Sequence, residues 1–420
     1  MTDRQPLSTE PYKGVRDFYP ADWGKMQALF NRTRELLASY GYEEYNASPL
    51  ERAELYESKG NEEIVNEQTY TFTDRGDRRV TLRPEMTPSL ARMVAAKRRE
   101  LTYPLRWFSI GNRFRYERMQ KGRLREFYQT DIDLVGLPEG EADLEMVTLA
   151  HDLLIAFGAS EADFSIHVNS RKLLRLASEV AGLAEGEHAR HYWQLIDRKS
   201  KMSKEEFESA RKEFTADPLA VIEAGTDAGV AAEKARLESF IETLKARSVG
   251  NAVLDLDVVR GFDYYTGTVF EIFDTNPENA RSLFGGGRYD GLVTLFGGDP
   301  IPAVGFAFGD VTLMDFLTTH GYAVHIAASA DIYVGTPSPE DLPAARSFAD
   351  ELRKSGVRVF MNLAEKSLGD QVKEAVKRGI PYFAAFGKNE AETGTVRLKT
   401  LATSSEEEIP RGEVAARVMH

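Results

Sequence analysis

The chain has 420 residues, room for about two to four domains at the usual ~150 residues each. Hydrophobic residues make up 42% and charged residues 28%, which excludes a disordered or low-complexity protein. The net charge of −13 argues against a chain that coats nucleic acid with its whole surface, and the absence of cysteine removes disulfides, thiolate metal sites and cysteine nucleophiles together.

The first thirty residues lack a basic stretch followed by an apolar core, and no run of ~18 uncharged apolar residues occurs, so a soluble, cytoplasmic protein with no membrane span is expected. Met26, Leu29, Phe30, Leu36 and Leu37 fall at helical spacing between Ala21 and Tyr40, and Gly41 stops that helix. YEEYNASPLE reads as an extended segment interrupted by Pro49. TYTFTDR and RRVTLRPEMT read as a hairpin split by turn residues 74–77. Helical spacing returns from Met86 to Arg99, then Leu105 to Gly136 reads as two long strands joined by MQKGR, and Glu141 to Phe157 as a helix closed by Gly158. Residues 170–249 are rich in Ala, Glu, Lys and Leu and predict a helical insertion. Strand character resumes at AVLDLDVV, TGTVFEIF and PAVGFAFG, so residues 1–169 and 250–322 are expected to form one domain around the insertion. From 329 to 420 strands and helices alternate, which implies a small α/β domain with parallel pairing. Residues 330–420 carry 13 basic and 14 acidic side chains, the part least repulsive to a polyanion.

The densest chemical signal is RWFSIGNRFRYERMQKGRLR, where Arg106, Arg113, Arg115, Arg118, Lys121, Arg123 and Arg125 stand against the single acid Glu117. A period of two puts Arg113, Arg115 and Glu117 on one strand face and Phe127, Gln129, Asp131 and Asp133 on one face of the returning strand. Clustered arginine on a rigid sheet suits a phosphoryl transition state, because its planar fork grips phosphate or carboxylate. On this segment alone, a ligand-gripping floor and a solvated hairpin laced with ion pairs stand level. VTLRPEMT places Glu85 and Thr87 at a strand-to-helix corner, a ligand position or an acidic helix start. DVVRGFDYYTGTVFEIF carries Arg260, Tyr264 and Tyr265. FGGGRYDGL matches neither the P-loop nor the dinucleotide fingerprint, and by spacing it is a flexible loop. KMSKE, in an all-helical stretch, reads as a helix start with Ser203 as N-cap. The seven histidines show no ligand spacing, so no metal site is expected among them.

In order, these segments resemble the histidyl-tRNA synthetases, a class II aminoacyl-tRNA synthetase family. PYKGVRDFYP is similar to the family's N-terminal signature, Pro49 stands where its dimer-forming first motif has proline, and FRYERMQKGRLREFYQTDIDLVG resembles its second motif. VRGFDYYTGTVFEIF and GGGRYDGL are similar to its histidine-specific segments, PAVGFAFG to the start of its third motif, and GKNEAETGTVRLKTL to its anticodon-binding domain. The resemblance implies an α+β fold: a class II antiparallel sheet flanked by helices, a helical insertion and a C-terminal α/β anticodon-binding-type domain. It implies a homodimer that uses ATP and Mg²⁺ to form histidyl-adenylate and then charges tRNA(His). By the resemblance, Glu85, Thr87 and Gln129 hold the α-amino group of histidine, and Asp133, Tyr264 and Tyr265 line its imidazole. Arg115 grips the α-phosphate, Arg260 bridges carboxylate and phosphate, Arg123 contributes to ATP binding, and Gln120 meets the tRNA acceptor end.

Two positions depart from the pattern. Asp133 stands where the family has Glu, and the third motif ends GDVTL, with Thr312 at the place of an ATP-binding arginine. Two readings follow: an active synthetase in which Arg123, Arg281, Arg288 or Mg²⁺ does the missing work, or a non-catalytic paralogue that binds histidine and regulates a partner such as ATP phosphoribosyltransferase.

Overall fold

Alternation of polar and apolar residues from Leu105 to Val135 builds the two longest strands of the first of two units, Met1–Val324 and His325–His420. The computed structural model describes residues 7–57, 68–117, 122–183, 186–199, 202–259, 264–279, 281–324, 326 and 328–419. In the first unit the strands are β1 (Glu43–Glu44), β2 (Leu50–Arg52), β3 (Tyr70–Thr73), β4 (Arg79–Leu82), β5 (Leu105–Phe114), β6 (Glu126–Val135), β7 (Phe164–Ser170), β8 (Ala252–Leu254), β9 (Thr268–Asp274), β10 (Ser282–Arg288) and β11 (Ala303–Gly309). Eight of them form one sheet in the order β1-β5-β6-β11-β10-β9-β7-β8, while β2, β4 and β3 form a second, three-stranded sheet. From β5 through β7 every pairing in the large sheet is antiparallel; β1 and β8 add parallel edges.

Helices flank the sheets and pack in two separate clusters. They include α1 (Pro20–Ser39), α2 (Glu54–Glu57), α3 (Thr87–Lys97), α4 (Glu141–Ala156), α5 (Arg171–Val180), α6 (Glu187–Arg198), α7 (Lys204–Arg211), α8 (Pro218–Ala224), α9 (Ala228–Ala246) and α10 (Asp310–Thr319). Ile132 and Leu134 of β6 pack in one cluster with Met26, Leu29 and Phe30 of α1, Leu149 and Leu153 of α4, and Leu313 and Phe316 of α10. Each such side chain contributes roughly 1.5–3 kcal/mol by leaving water. Leu173 and Leu174 of α5 and Leu237, Phe240 and Leu244 of α9 belong to the same cluster. The helix stop at Gly41 has a backbone cause: its φ of +77° lets Tyr42 N–H reach Leu37 O at 3.0 Å. Ser203 caps α7 and exchanges hydrogen bonds with Glu206, so KMSKE is a helix start.

Two expectations are corrected. FGGGR is not a flexible loop: it forms β10, a buried inner strand, because its neighbours leave no room for side chains. A Cβ on Gly286 would lie 2.1 Å from Gly305 O and 2.5 Å from Phe306 Cβ, and one on Gly287 2.8 Å from the Tyr265 ring. Likewise, β5 ends at Phe114, so the strand does not extend to Arg115 and Glu117, although Arg115 N–H still donates to Arg125 O at 3.0 Å.

The second unit holds β12 (Ile332–Gly335), α11 (Leu342–Lys354), β13 (Val359–Met361), α12 (Leu368–Lys377), β14 (Tyr382–Ala385), α13 (Lys388–Thr393), β15 (Thr395–Thr400), β16 (Ser405–Pro410) and α14 (Val414–Val418). Its sheet order is β13-β12-β14-β15-β16. Parallel pairing holds only for β12 with β13 and β14; β15 and β16 are antiparallel additions. The acidic run at 406–408 is a strand because β15 sets Lys399 opposite Glu406 and Arg397 opposite Glu408.

Gly286→Ala is expected to destabilise the first unit by at least about 3 kcal/mol, since the clash is with backbone and with a neighbouring Cβ. Urea unfolding followed by tryptophan fluorescence checks this; a midpoint equal to wild type would contradict the packing.

Candidate active site

The site begins as the odd-numbered face of β6. Register places Gln129, Asp131 and Asp133 opposite Gly309, Ala307 and Gly305 on β11, and opposite Gly111, Ser109 and Trp107 on β5. Small neighbours therefore surround large polar groups, which hollows the sheet face. Arg113, fully buried, donates Nη2 to Asp131 Oδ2 at 2.5 Å, and Gln129 Nε2 donates to Asp131 Oδ1 at 2.7 Å. The face is a polar floor, not a solvated hairpin; both Asp131 oxygens are paired, while Arg113 Nε is buried without a partner.

Asp133 is held differently. Its Oδ1 accepts from the Tyr289 hydroxyl, while Oδ2 is buried with no partner. Burial pushes this carboxyl up to about 8, the nearby Asp131 charge pushing the same way and the Tyr289 hydrogen bond opposing. The Tyr45 ring lies 5.5 Å from that of Trp107, and the Tyr45 hydroxyl is likewise buried without a partner. Burial first, then the Asp133 charge, raises that phenol.

A second buried carboxyl stands at the corner between β4 and α3. Glu85 precedes the N-cap Met86, so its carboxylate does not cap the helix; it accepts from the Tyr264 hydroxyl at 3.1 Å. Burial pushes Glu85 up to about 7, opposed chiefly by the Arg115 charge. Thr87 opens α3 and hydrogen-bonds Tyr264. Tyr264 and Tyr265 pack with ring centroids 5.0 Å apart, and Tyr289 lies 5.9 Å from Tyr264. Arg115 donates Nε to Pro84 O at 2.9 Å, which ties the end of β5 to this corner, and its guanidinium lies 5.3 Å from the Phe127 ring. Thus Glu85, Thr87, Arg115, Tyr264 and Tyr265 gather around the corner, and Gln129 and Asp133 share the floor.

Half-exposed Arg123 pairs with Glu117 at 3.0 Å. At the N-terminal end of α10, Thr312 Oγ1 donates to Leu283 O at 2.9 Å. Exposed Arg281 lies two residues before Leu283 in the chain. Arg288 is withdrawn as an ATP-binding cation: it is buried, its Nε and Nη2 donate to Asp143 at 2.9 and 2.7 Å, and its Nη1 donates to Asp290 and to Leu137 O. It ties β10 to α4. Arg260 and Gln120 lie outside the described residues. Among the described residues no cluster of three or more His, Asp or Glu could hold a metal ion.

The histidyl-tRNA synthetase family model matches residues 14–313, and an anticodon-binding domain model matches 331–419. A curated relative from Leptospira biflexa, histidine–tRNA ligase, is 39% identical over 416 residues, covering 96% of this chain and 95% of that one. The chain belongs to the histidyl-tRNA synthetase family. A solved histidyl-tRNA synthetase from Nostoc sp. PCC 7120 superposes with a TM-score of 0.78 at 25% identity, covering 98% of this chain and 99% of that one. An ATP phosphoribosyltransferase regulatory subunit/histidyl-tRNA synthetase from Bacillus halodurans shares the fold, with a TM-score of 0.72 at 23% identity over 88% of this chain and 97% of that one. Within this histidyl-tRNA synthetase family member, the large antiparallel-rich sheet flanked by helices carries the site.

Residue-by-residue reading of the sequence missed Tyr45 and Tyr289. Tyr289 follows GGGR directly, and recognising that run as a strand would have brought it to the floor. Tyr45 carries no local signal; the β1–β5 pairing brings it to Trp107.

The raised Asp133 carboxyl has a consequence for stability. The folded state binds its proton more tightly than the unfolded chain, so this contribution is present below the ordinary carboxylate range and is lost as pH rises toward 8. Asp133→Asn stays neutral throughout. Its stability relative to wild type is expected to rise by at least about 1 kcal/mol between pH 5 and 8.5, each unit of pKa difference being worth about 1.4 kcal/mol. Paired thermal melts across that range test this, and a pH-independent difference would refute it.

Proposed function

We propose that the chain is a histidine–tRNA ligase. It joins histidine to ATP as histidyl-adenylate with release of pyrophosphate, then passes the histidyl group to the terminal adenosine of tRNA(His). The observation that carries this reading is the pair of separate buried carboxyls, Glu85 and Asp133, each raised toward neutrality. Histidine offers two nitrogenous ends, an α-ammonium and an imidazole N–H, to two such acceptors.

In the first step a histidine carboxylate oxygen attacks the α-phosphorus of ATP and the bond to the pyrophosphate oxygen breaks. The nucleophile is already ionised, so alignment and charge neutralisation supply the rate. Glu85, Thr87 and the oxygen of Gln129, whose amide nitrogen is committed to Asp131, hold the α-amino group. Asp133 takes the imidazole N–H on Oδ2, with Tyr264 and Tyr265 as walls. Arg115 and Arg260 neutralise the α-phosphate, and Gln120 meets the acceptor end of the tRNA. At a polar site, an amino acid lacking the imidazole leaves buried Asp133 unpaired, the strong form of discrimination.

With Arg288 committed elsewhere, Arg123 and Arg281 remain as proposed replacements for the third-motif arginine absent at Thr312. Mg²⁺ is expected to enter on the ATP phosphates, and no protein ligand is proposed for it. A homodimer is proposed by resemblance, supported by half-exposed Leu50 and Phe72 on the three-stranded sheet. The three-part division is proposed likewise: a catalytic domain of residues 1–169 and 250–322, the insertion 170–249 and an anticodon-binding-like domain 329–420. No described helix is long and apolar enough to cross a membrane, and a cytoplasmic location is proposed. The second reading, a histidine-binding regulator, rests on Thr312. The C-terminal match and near-full-length likeness to curated ligases favour the enzyme.

Purified protein is expected to catalyse histidine-dependent ATP–pyrophosphate exchange; histidine binding without exchange would favour the regulator. Arg115→Ala and Arg260→Ala are each expected to lower exchange at least ~100-fold while the dimer persists, and wild-type exchange in either would refute that residue's role. For Arg281→Ala, the KM for ATP is expected to rise ~10-fold with the KM for histidine unchanged, as loss of one charge-assisted contact implies. An unchanged KM for ATP would remove Arg281 and leave Arg123.

A further inference from the structure

The hydroxyl of Tyr45 has no role in the adenylation chemistry described so far. Tyr45 follows β1 at the edge of the large sheet, and its N–H donates to Phe108 O at 2.8 Å. Extending the β1–β5 register by one residue puts its side chain on the face of Trp107 and Ser109, which is the face of the floor. Tyr45 and Trp107 pack against the buried cluster that holds Tyr264, Tyr265 and Tyr289. The Tyr45 ring is half-buried there, but the hydroxyl at its end is buried and has no partner.

Asp133 Oδ2 is buried and unpartnered too, so it does not bond the Tyr45 hydroxyl, although Asp133 is the charge that acts most strongly on that phenol. A donor and an acceptor therefore stand near one another unjoined. The neighbouring donors are committed. The Tyr289 hydroxyl donates to Asp133 Oδ1, the Tyr264 hydroxyl to Glu85 at 3.1 Å, and Gln129 Nε2 to Asp131 at 2.7 Å. Ser109 Oγ is unpartnered as well, but Ser109 stands opposite Asp131, one strand repeat of about 7 Å along from Asp133. The donor left for a ligand beside Asp133 is the Tyr45 O–H.

A neutral imidazole has the complementary edge, with one N–H that donates and one bare nitrogen that accepts. We propose that Tyr45 is a specificity-determining residue: its hydroxyl donates to the imidazole nitrogen that bears no proton, while Asp133 Oδ2 accepts from the one that does. This rests on the placement of the histidine side chain over the floor in the ligase reading. Histidine then satisfies both unpartnered groups at once. An amino acid with a hydrocarbon ring of similar size leaves both unpaired in a dry site, so it is rejected through the protein's own polar groups and not by shape alone.

Calorimetric titration of the full-length protein with histidine tests this without catalysis. Tyr45→Phe is expected to raise the Kd for histidine ~10-fold, as loss of one hydrogen bond to a buried acceptor implies. Its thermal stability without histidine should equal or exceed that of wild type, because the hydroxyl removed has no partner in the fold. The two ring isomers of pyrrolylalanine each keep a ring N–H and carry C–H in place of the bare nitrogen. Whichever binds wild type more tightly should bind Tyr45→Phe within about twofold of it, since the phenol has no acceptor on that ring. If neither binds wild type, the histidine titration decides. Wild-type affinity for histidine in Tyr45→Phe would overturn the proposal, as would a lower melting temperature without ligand, or an equal loss for histidine and the pyrrole. Wild-type exchange alongside unchanged histidine affinity in Tyr45→Phe would leave the ligase reading and remove Tyr45. Tyr45-dependent binding without exchange would do the reverse, and no histidine binding by wild type would remove both.

Discussion

The buried pair of Arg113 and Asp131 is the constraint around which the first unit is arranged. Two charges without solvent are tolerable when their geometry is good and further hydrogen bonds serve the carboxylate, and loss of one partner from such a pair costs about 3–5 kcal/mol. Asp131 meets the requirement with Arg113 on one oxygen and Gln129 on the other. The rest of the floor follows. Ser109 and Ala307 stand opposite Asp131 because larger side chains would fill the hollow in which the guanidinium lies. Arg83, buried beside Arg113, crosses over Gly111, where a Cβ would lie 2.5 Å from its Nη2, and donates to Asn112 O and Ala47 O. Burial first, then the Arg113 charge, pulls Arg83 down to about 10.

Two carboxyls so near one another are partnered differently. Asp131 is neutralised by Arg113. Asp133, two residues on, has only a tyrosine hydroxyl and lies in the same dry environment, so it rises. Glu85 lies between these cases, with Arg115 lowering what burial raises. The site thereby holds a committed carboxylate on the sheet face and two raised carboxyls, Asp133 on that face and Glu85 at the β4–α3 corner, that are ready to ionise when a positively charged or N–H-bearing ligand arrives. Asp133 is also seated by glycine. A Cβ at Gly305 would lie 2.3 Å from its Oδ1, so the small residue on β11 and the shorter acid on β6 occupy one volume between them.

Much of this was legible in the sequence. The period of two in β6 separated Gln129, Asp131 and Asp133 from Thr130, Ile132 and Leu134, and the structure keeps that separation. The helices of 171–246 and the strand–helix order after residue 330 followed from local periodicity. What failed was non-local. Glycine disfavours strands by local propensity, and only the crowding of Gly305, Phe306 and Tyr265 against β10 makes FGGGR a strand. Arg288 looked like a ligand cation because no local signal announces Asp143, which lies 145 residues away in the chain.

Unpaired buried polar atoms are normally a defect, and Asn251 Oδ1 is one that belongs to no site described for this chain. Asp133 Oδ2 on the floor has a second property: a surrounding hydrogen bond prevents the group from relaxing. Asp133 is fixed by Tyr289 on one oxygen, which aims the other. A side chain free to rotate would have found a partner in the fold. One that is held open keeps a standing destabilisation that a ligand removes on binding, so the same arrangement lowers the stability of the empty protein and raises affinity for a ligand of the matching shape and polarity. On the floor the group held open lies in a hollow that Gly305 leaves on β11, and the hollow and the held group together, not either alone, separate a site from a flaw in packing.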